Sequence, residues 1–413
     1  MGKGANKSLA KHKNLTTLMK VEDLRNIIIK LNEQQRKILD DFCERFLEDD
    51  CVPFYLYIAG EAGTGKSFLL KIMIEVIKHL KLTPGDDLRK PPAIVMAPTA
   101  NAAYIINGKT IESSLGMLPS KYNAFSKRKS NQVSNYSFLY EDVSVLFCDE
   151  ISMVGSSKFT RMNFQLQDIT GSNDFMGGLS FVAVGDFRQL PPVRDQFIYE
   201  KNHLDGRPSI SPSHWDDNFK IYYLTDKMRN QQDPEFASLC DRVGNGTYGK
   251  NDLLYLQGCD TENENFKNGK VSLIVLTNIV RQEINGHKLK TLIKGRKSST
   301  SIAIDRSTNL ENPPEIPAKL SITQTGGLET KIILKKDAPI VITSNHSQTK
   351  YKEDGIVNGA RGYVDSIQVS KNHPEQIDVV WVVFKDNKVG KLLRYENRNL
   401  TKKHKPFDEN AVT

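Results

Sequence analysis

One octapeptide constrains this chain more than any other stretch: Gly60-Glu61-Ala62-Gly63-Thr64-Gly65-Lys66-Ser67. It fits G-x-x-x-x-G-K-[ST] and stands between an apolar run, FYLYIAG (54–60), and an apolar helical pattern, FLLKIMIEVIKHL (68–80). Small residues at that spacing let successive backbone N–H groups turn inward around phosphates, and the helix N-terminus adds partial positive charge. The expected ligand is a phosphate chain with Mg²⁺, with Gly60, Glu61, Ala62, Gly63, Thr64, Gly65, Lys66 and Ser67 as the cradle. Lys66 is placed to reach the β- and γ-phosphates, and Ser67 to ligate Mg²⁺. The bare pattern arises by chance in a chain of this length on the order of once in a hundred. Its strand–loop–helix setting argues against a Gly-rich turn that binds nothing.

The surrounding pattern is α/β. FYLYIAG (54–60), AIVMAPTA (93–100), VSVLFCDE (143–150) and LSFVAVGD (179–186) are short apolar runs of the buried parallel-strand type, separated by helical or irregular stretches. Each ends in a polar or Gly-rich turn, where open α/β sheets bind ligands. Ahead of them, Asn32 with Gln35 three residues on predicts a capped helix carrying Ile38, Leu39, Phe42, Phe46 and Leu47 on one face. At 413 residues there is room for two or three cores. We expect a basic flexible tail over 1–30 and a first ATPase domain over 31–218, with a polar insertion at 119–141. We place a second α/β unit at 219–300, a linker at 301–329, a small β-barrel at 330–400 and a polar tail at 401–413.

Charge adds little by itself. The net +8 would suit a polyanionic partner, but the first 30 residues hold seven basic against two acidic side chains, so most of the excess is a terminal arm. That Lys-rich start lacks the Arg- and Ser-rich character of a transit peptide, which favours a nuclear address over a mitochondrial one. It has no apolar signal core, and no later run approaches the roughly 18 apolar residues of a membrane span. Five cysteines without a C-x-x-C pair point to a reducing compartment and no structural metal.

Two further stretches carry chemistry. Asp149-Glu150 closes VSVLFC; beside a phosphate loop, Asp149 is the candidate metal-side carboxylate and Glu150 the base for an attacking water. Gln189, in Gly185-Asp186-Phe187-Arg188-Gln189-Leu190-Pro191-Pro192, has an amide that can donate to a phosphate oxygen and accept from water at once. Alone, either stretch would read as a helix cap or a loop.

Taken together, the motifs resemble superfamily 1 DNA helicases of the Pif type, including those of Helitron transposons, with RecD and Dda as more distant relatives. Leu31-Asn32-Glu33-Gln34-Gln35, GEAGTGKS, APTANAA (97–103), CDEISMV (148–154), GDFRQLPPV (185–193), MRNQQDPEFASL (228–239), LTN (276–278) and GIVNGARGYV (355–364) follow in the family's order over about residues 31–400. The resemblance implies a P-loop NTPase with a RecA-like parallel sheet, an incomplete second RecA-like domain and a small β-barrel insertion. It implies an ATP hydrolase translocating 5′→3′ on single-stranded DNA as a monomer and opening forked or structured duplex, with roles in DNA repair, recombination or telomere maintenance. Residue by residue it implies Gln35 as the adenine reader, Lys66, Glu150, Gln189 and Arg229 as catalytic groups, and Ser67 and Asp149 at the metal. Arg229 would approach the γ-phosphate from the second RecA-like domain. Thr99, Ala100, Asn101 and Asn358 would meet the strand. Lys121, Tyr122, Phe125, Lys127, Arg128 and Lys129 fall where the family carries its strand-separating wedge, with plain packing as the other reading of those aromatics.

Three departures accompany the match. Ala100 replaces a usual Gly after Thr99, and Glu112 stands where relatives carry a His, so a negative charge is expected to weaken strand contact there. The Thr-x-His-Lys-x-x-Gly-like segment and the later arginine of the family are not found, so we expect an unfinished second domain. A nucleic-acid-binding remnant without turnover and a P-loop ATPase acting on protein are the rival readings.

Overall fold

In the computed structural model the described residues are 18–48, 52–83, 86–87, 90–117, 136–200, 203–204, 207–208, 211–228, 233–258, 273–291, 295, 297–302, 305–306, 315–316, 331–343, 350–351, 354–371, 373 and 376–397. They fall into two compact units divided between Gly249 and Lys250.

The first unit is a six-stranded, wholly parallel sheet in the order β3-β2-β4-β5-β1-β8. Its strands are β1 (Tyr55–Gly60), β2 (Ala93–Ala97), β3 (Lys109–Thr110), β4 (Val145–Cys148), β5 (Ser180–Gly185) and β8 (Phe219–Leu224). The two-residue strands β6 (His203–Leu204) and β7 (Arg207–Pro208) form a separate antiparallel pair. All residues of β2, β4 and β5 are buried, as unbroken apolar runs require when both faces of a sheet are covered.

One face is covered by α1 (Val21–Ile28), α2 (Glu33–Leu47), α3 (Lys66–Lys81) and α4 (Ala100–Ile105). The predicted capping box opens α2: the Asn32 side chain accepts from Gln35 N (2.8 Å), and Gln35 Oε1 accepts from Asn32 N (3.3 Å). Ile38, Leu39, Phe42 and Phe46 are buried as their spacing predicts, each contributing roughly 1.5–3 kcal/mol. Leu47, at the last turn, is exposed instead. The other face is covered by α5 (Ile111–Leu115) and the helices Ser156–Thr170 and Ser211–Asn218, where Phe159, Phe181, Trp215 and Phe219 pack edge to face or stacked.

Four expectations change here. Residues 21–28, placed in the tail, form α1, because Leu24 is drawn into the core. Residues 136–140, placed in the insertion, are helical, and Tyr140 is buried with its hydroxyl donating to Ser114 O (3.2 Å). Phe219–Leu224, read as the start of a second unit, is an edge strand of the first sheet, with Gly60 opposite Leu224. Short apolar runs look alike whichever sheet they join, so the boundary expected at 218 falls after Gly249.

The second unit, described by itself, holds the helices Lys250–Gln257, Asn278–Thr291 and Lys391–Glu396. It also has two antiparallel pairs, β9 (Ser298–Ile302) with β12 (Lys331–Lys335) and β10 (Asp305–Arg306) with β11 (Glu315–Ile316). A three-stranded antiparallel sheet joins β13 (Pro339–Val341), β14 (Arg361–Val369) and β15 (Ile377–Phe384). Among the described residues, the stretch expected as a barrel holds this three-stranded sheet and the β9–β12 pair, and no strand is formed over 273–276. No helix among the described residues is long and apolar enough to cross a membrane.

Candidate active site

Strand order builds the site. Because β5 lies between β1 and β4, the loop after β5 emerges between the phosphate-loop candidate and Asp149-Glu150, and Ala59 pairs Gly185 while Cys148 pairs Ala183. Three polar loops therefore leave the sheet's carboxyl edge side by side.

The Gly60–Ser67 loop has the geometry its composition predicts. Gly65 has φ 85°, and a Cβ there would lie 2.4 Å from Gln35 Nε2. At Gly60 a Cβ would meet Thr64 Oγ1 at 2.7 Å and Leu224 O at 2.8 Å. The Lys66 ammonium donates to Gly60 O (2.7 Å) and Glu61 O (2.8 Å). Burial pulls its pKa below the ordinary lysine value, only partly opposed by Asp186, Glu150 and Asp149.

Ser67 Oγ donates to Asp149 Oδ2 (2.8 Å), joining the two expected metal-side groups. Asp149 is buried, and burial raises its carboxyl above the ordinary value against the bond from Ser67. Glu150 sits next to it with φ 54°, a left-handed backbone that costs a non-glycine residue roughly 1–2 kcal/mol. Burial, then the Asp149 charge, raises the Glu150 carboxyl, as suits a proton acceptor. Ser67, Asp149, Glu150 and Gln189 line one cavity of about 210 Å³ together with Thr99, Asn101, Ala102, Ile105, Met153 and Leu190. An all-oxygen pair of hydroxyl and carboxylate fits Mg²⁺, which takes one or two protein oxygens and completes its shell with water and phosphate. No cluster of three or more His, Cys, Asp or Glu able to hold a metal occurs among the described residues.

Several expected groups have partners within the fold. Gln35 is 1% exposed; besides its capping bond, its Nε2 donates to Thr64 O (3.2 Å), so this amide also braces the Gly-rich loop. Gln189 Nε2 donates to Asp186 Oδ2 (3.3 Å) at the cavity wall. Thr99 caps α4, its Oγ1 accepting from Ala102 N (3.2 Å), while Asn101 lines the cavity that Glu150 enters. Glu112, expected to repel a strand, is paired with Lys158 at 2.6 Å, so its charge is matched within the fold. Asn358 is exposed in a turn of the second unit.

Lys121, Tyr122, Phe125, Lys127, Arg128, Lys129 and Arg229 lie outside the described residues. The stretch leading to Arg229 belongs to the first unit, however: Met228 N donates to Gly63 O (2.8 Å).

An ionic cluster around Glu61 has no counterpart in the sequence motifs. Arg188 bonds Glu61 Oε1 (2.8 Å), Asp186 Oδ1 (3.1 Å) and Asn245 Oδ1 (3.1 Å). Lys227 reaches Glu61 Oε2 (3.0 Å), Asp241 and Ala237 O (3.1 Å). A hydrogen bond donated by the carboxyl group of Asp241, then those of Arg188 and Lys227, hold the Glu61 carboxyl at about 2. The only hint in the sequence is that Arg188 and Lys227 sit inside the stretches that carry Gln189 and Arg229.

The PIF1-like helicase family model matches residues 30–252. The chain belongs to the PIF1-like helicase family. It is 32% identical over 193 residues to the ATP-dependent DNA helicase PIF1 of Emericella nidulans, covering 46% of this chain and 24% of that protein. Against the ATP-dependent DNA helicase Pif1 of Psychrobacter sp. it is 28% identical over 316 residues, or 74% of this chain and 43% of that one. The chain's match thus spans about a quarter of the first of these relatives and less than half of the second. The fold is that of solved Pif1 helicases: the Candida albicans enzyme (TM-score 0.59, 20% identity, 86% of this chain and 74% of that one) and the Bacteroides Pif1 complex with ADP-AlF3 and ssDNA (TM-score 0.56, 21% identity, 86% and 72%).

Proposed function

We propose that this PIF1-like chain binds Mg-ATP at the carboxyl edge of its parallel sheet and couples hydrolysis to movement along single-stranded DNA and to duplex opening. The observation that carries the reading is the Ser67–Asp149 bond with the Glu150 carboxylate beside it in one cavity, next to Lys66. Ser67 and Asp149 would hold Mg²⁺, which supplies charge neutralisation at the phosphates. Glu150 takes the proton of the attacking water, Lys66 meets the phosphate charge, and Gln189 orients groups at the cavity wall. Arg229 adds a transition-state charge in the manner of an arginine finger. Thr99, Ala100 and Asn101 with the basic 121–129 stretch, and Asn358, meet the strand. Solved relatives bound to ssDNA and to forked dsDNA support DNA as the partner. The 5′→3′ direction, monomeric action, roles in repair, recombination or telomere maintenance, and a nuclear address rest on the resemblance and the Lys-rich start.

The test is phosphate release with and without single-stranded DNA. Release should rise with DNA and be lost in Lys66→Ala, while Glu150→Gln should lower it by about 10²–10⁴-fold and keep nucleotide binding. Strand displacement on forks with either a 5′ or a 3′ tail checks direction. Single-strand binding without DNA-stimulated release would establish the remnant instead, and DNA-independent release the ATPase acting on protein.

A further inference from the structure

Four consecutive residues after β8 are each bonded to the nucleotide side of the first unit. Thr225 pairs with Gln34 through its N–H (3.0 Å) and its hydroxyl (2.7 Å), and Asp226 Oδ2 accepts from Asn32 Nδ2 (3.0 Å). Lys227 bonds Glu61 Oε2 (3.0 Å), and Met228 N bonds Gly63 O (2.8 Å). The 225–228 segment is therefore stapled to the α2 cap and to the phosphate loop.

Glu61 gives this staple a chemical purpose. A carboxylate in a loop that receives a polyanion opposes its ligand unless the charge is matched and aimed elsewhere. Arg188 and Lys227 take one carboxylate oxygen each. Lys227 also pairs with Asp241, so its one ammonium bridges two neighbouring carboxylates and offsets their mutual charge. Glu61, Lys227 and Asp241 side chains are 28%, 22% and 35% exposed, so the cluster is screened only in part.

We propose that Lys227 is a positioning residue for the nucleoside triphosphate: by pairing Glu61 with Asp241 it sets the shape and charge of the phosphate loop before the ligand enters. This rests on the nucleotide reading above. Without Lys227, Glu61 and Asp241 repel, and the Glu61 carboxylate turns toward the phosphates. A neutral amide at 241 removes that repulsion and can donate to Glu61.

The experiment titrates the full chain with a fluorescent ATP analogue and Mg²⁺. It compares wild type, Lys227→Met, Lys227→Arg, Asp241→Asn, the Lys227→Met/Asp241→Asn double variant and Lys66→Ala, with thermal unfolding of each. Lys227→Met should weaken binding about 10-fold, an effect that shrinks at high salt, and Lys227→Arg by less than about 3-fold. Adding Asp241→Asn to Lys227→Met should restore most of the loss, which mere removal of a packed lysine stem would not allow. Wild-type affinity in Lys227→Met, or a double variant no tighter than the single, overturns the proposal and leaves the nucleotide reading standing. A wild type with no Lys66-dependent binding overturns both.

Discussion

Gly65→Ala tests whether the phosphate loop is shaped by the capped helix that precedes it. The backbone at Gly65 is left-handed, at φ 85°, which costs an alanine roughly 1–2 kcal/mol. The new Cβ would stand 2.4 Å from Gln35 Nε2, so the amide must leave its bond to Thr64 O in a site where it is 1% exposed. An unsatisfied buried donor costs about 1–3 kcal/mol, for a total of about 2–5 kcal/mol. In a Gln35→Ala background the clash is gone, and Gly65→Ala should cost only the left-handed backbone, about 1–2 kcal/mol. The two substitutions are therefore sub-additive by about 1–3 kcal/mol. Denaturant unfolding followed by tryptophan fluorescence reads this out for the first unit alone when Trp381 is replaced by Phe, leaving buried Trp215 as reporter. Additivity within about 0.5 kcal/mol would mean that Gln35 does not shape the loop, and the reasoning fails.

Glu112→Ala should release Lys158 toward nucleic acid, tightening single-strand binding and steepening the log–log salt slope by about 0.7; an unchanged slope would place this ion pair away from the strand. Phe159→Ala, which removes a fully buried ring packed on Phe181 and Trp215, should cost about 3–5 kcal/mol in the same unfolding assay, and a loss below about 1 kcal/mol would contradict that packing. The Glu61 carboxyl is held at about 2 against an ordinary 4.5, so its depressed folded value stabilises the chain above pH 4.5 and the contribution fades as pH falls toward 2. The stability difference between wild type and Glu61→Gln should shrink over that window, and a difference constant with pH would remove Glu61 from the cluster.

Much of the first unit was legible because its signals are local. The capping box at Asn32 and Gln35, the unbroken apolar strands and the Gly60–Ser67 loop are each set by residues a few positions apart, and each appears where its pattern places it. Phe219–Leu224 was misassigned for the opposite reason: nothing within six residues distinguishes an edge strand of one sheet from the first strand of another. The pairing of Glu112 with Lys158 was not legible, because the two are 46 positions apart in sequence and meet only in the fold.

The amino-acid sequence by itself determined the chemistry available at the site: a lysine, a hydroxyl, two adjacent carboxylates and an amide, each a few residues after an apolar strand. Tertiary structure alone decided how these groups meet. By inserting β5 between β1 and β4 it set Gln189 beside Asp149 and Glu150, and by closing the sheet with β8 it brought Lys227 onto Glu61. Strand order and ion pairing are long-range properties, chosen by how buried faces and charges match across the whole unit. No local pattern encodes them, which is why the role of Glu61 emerges only where Arg188, Lys227 and Asp241 converge on it.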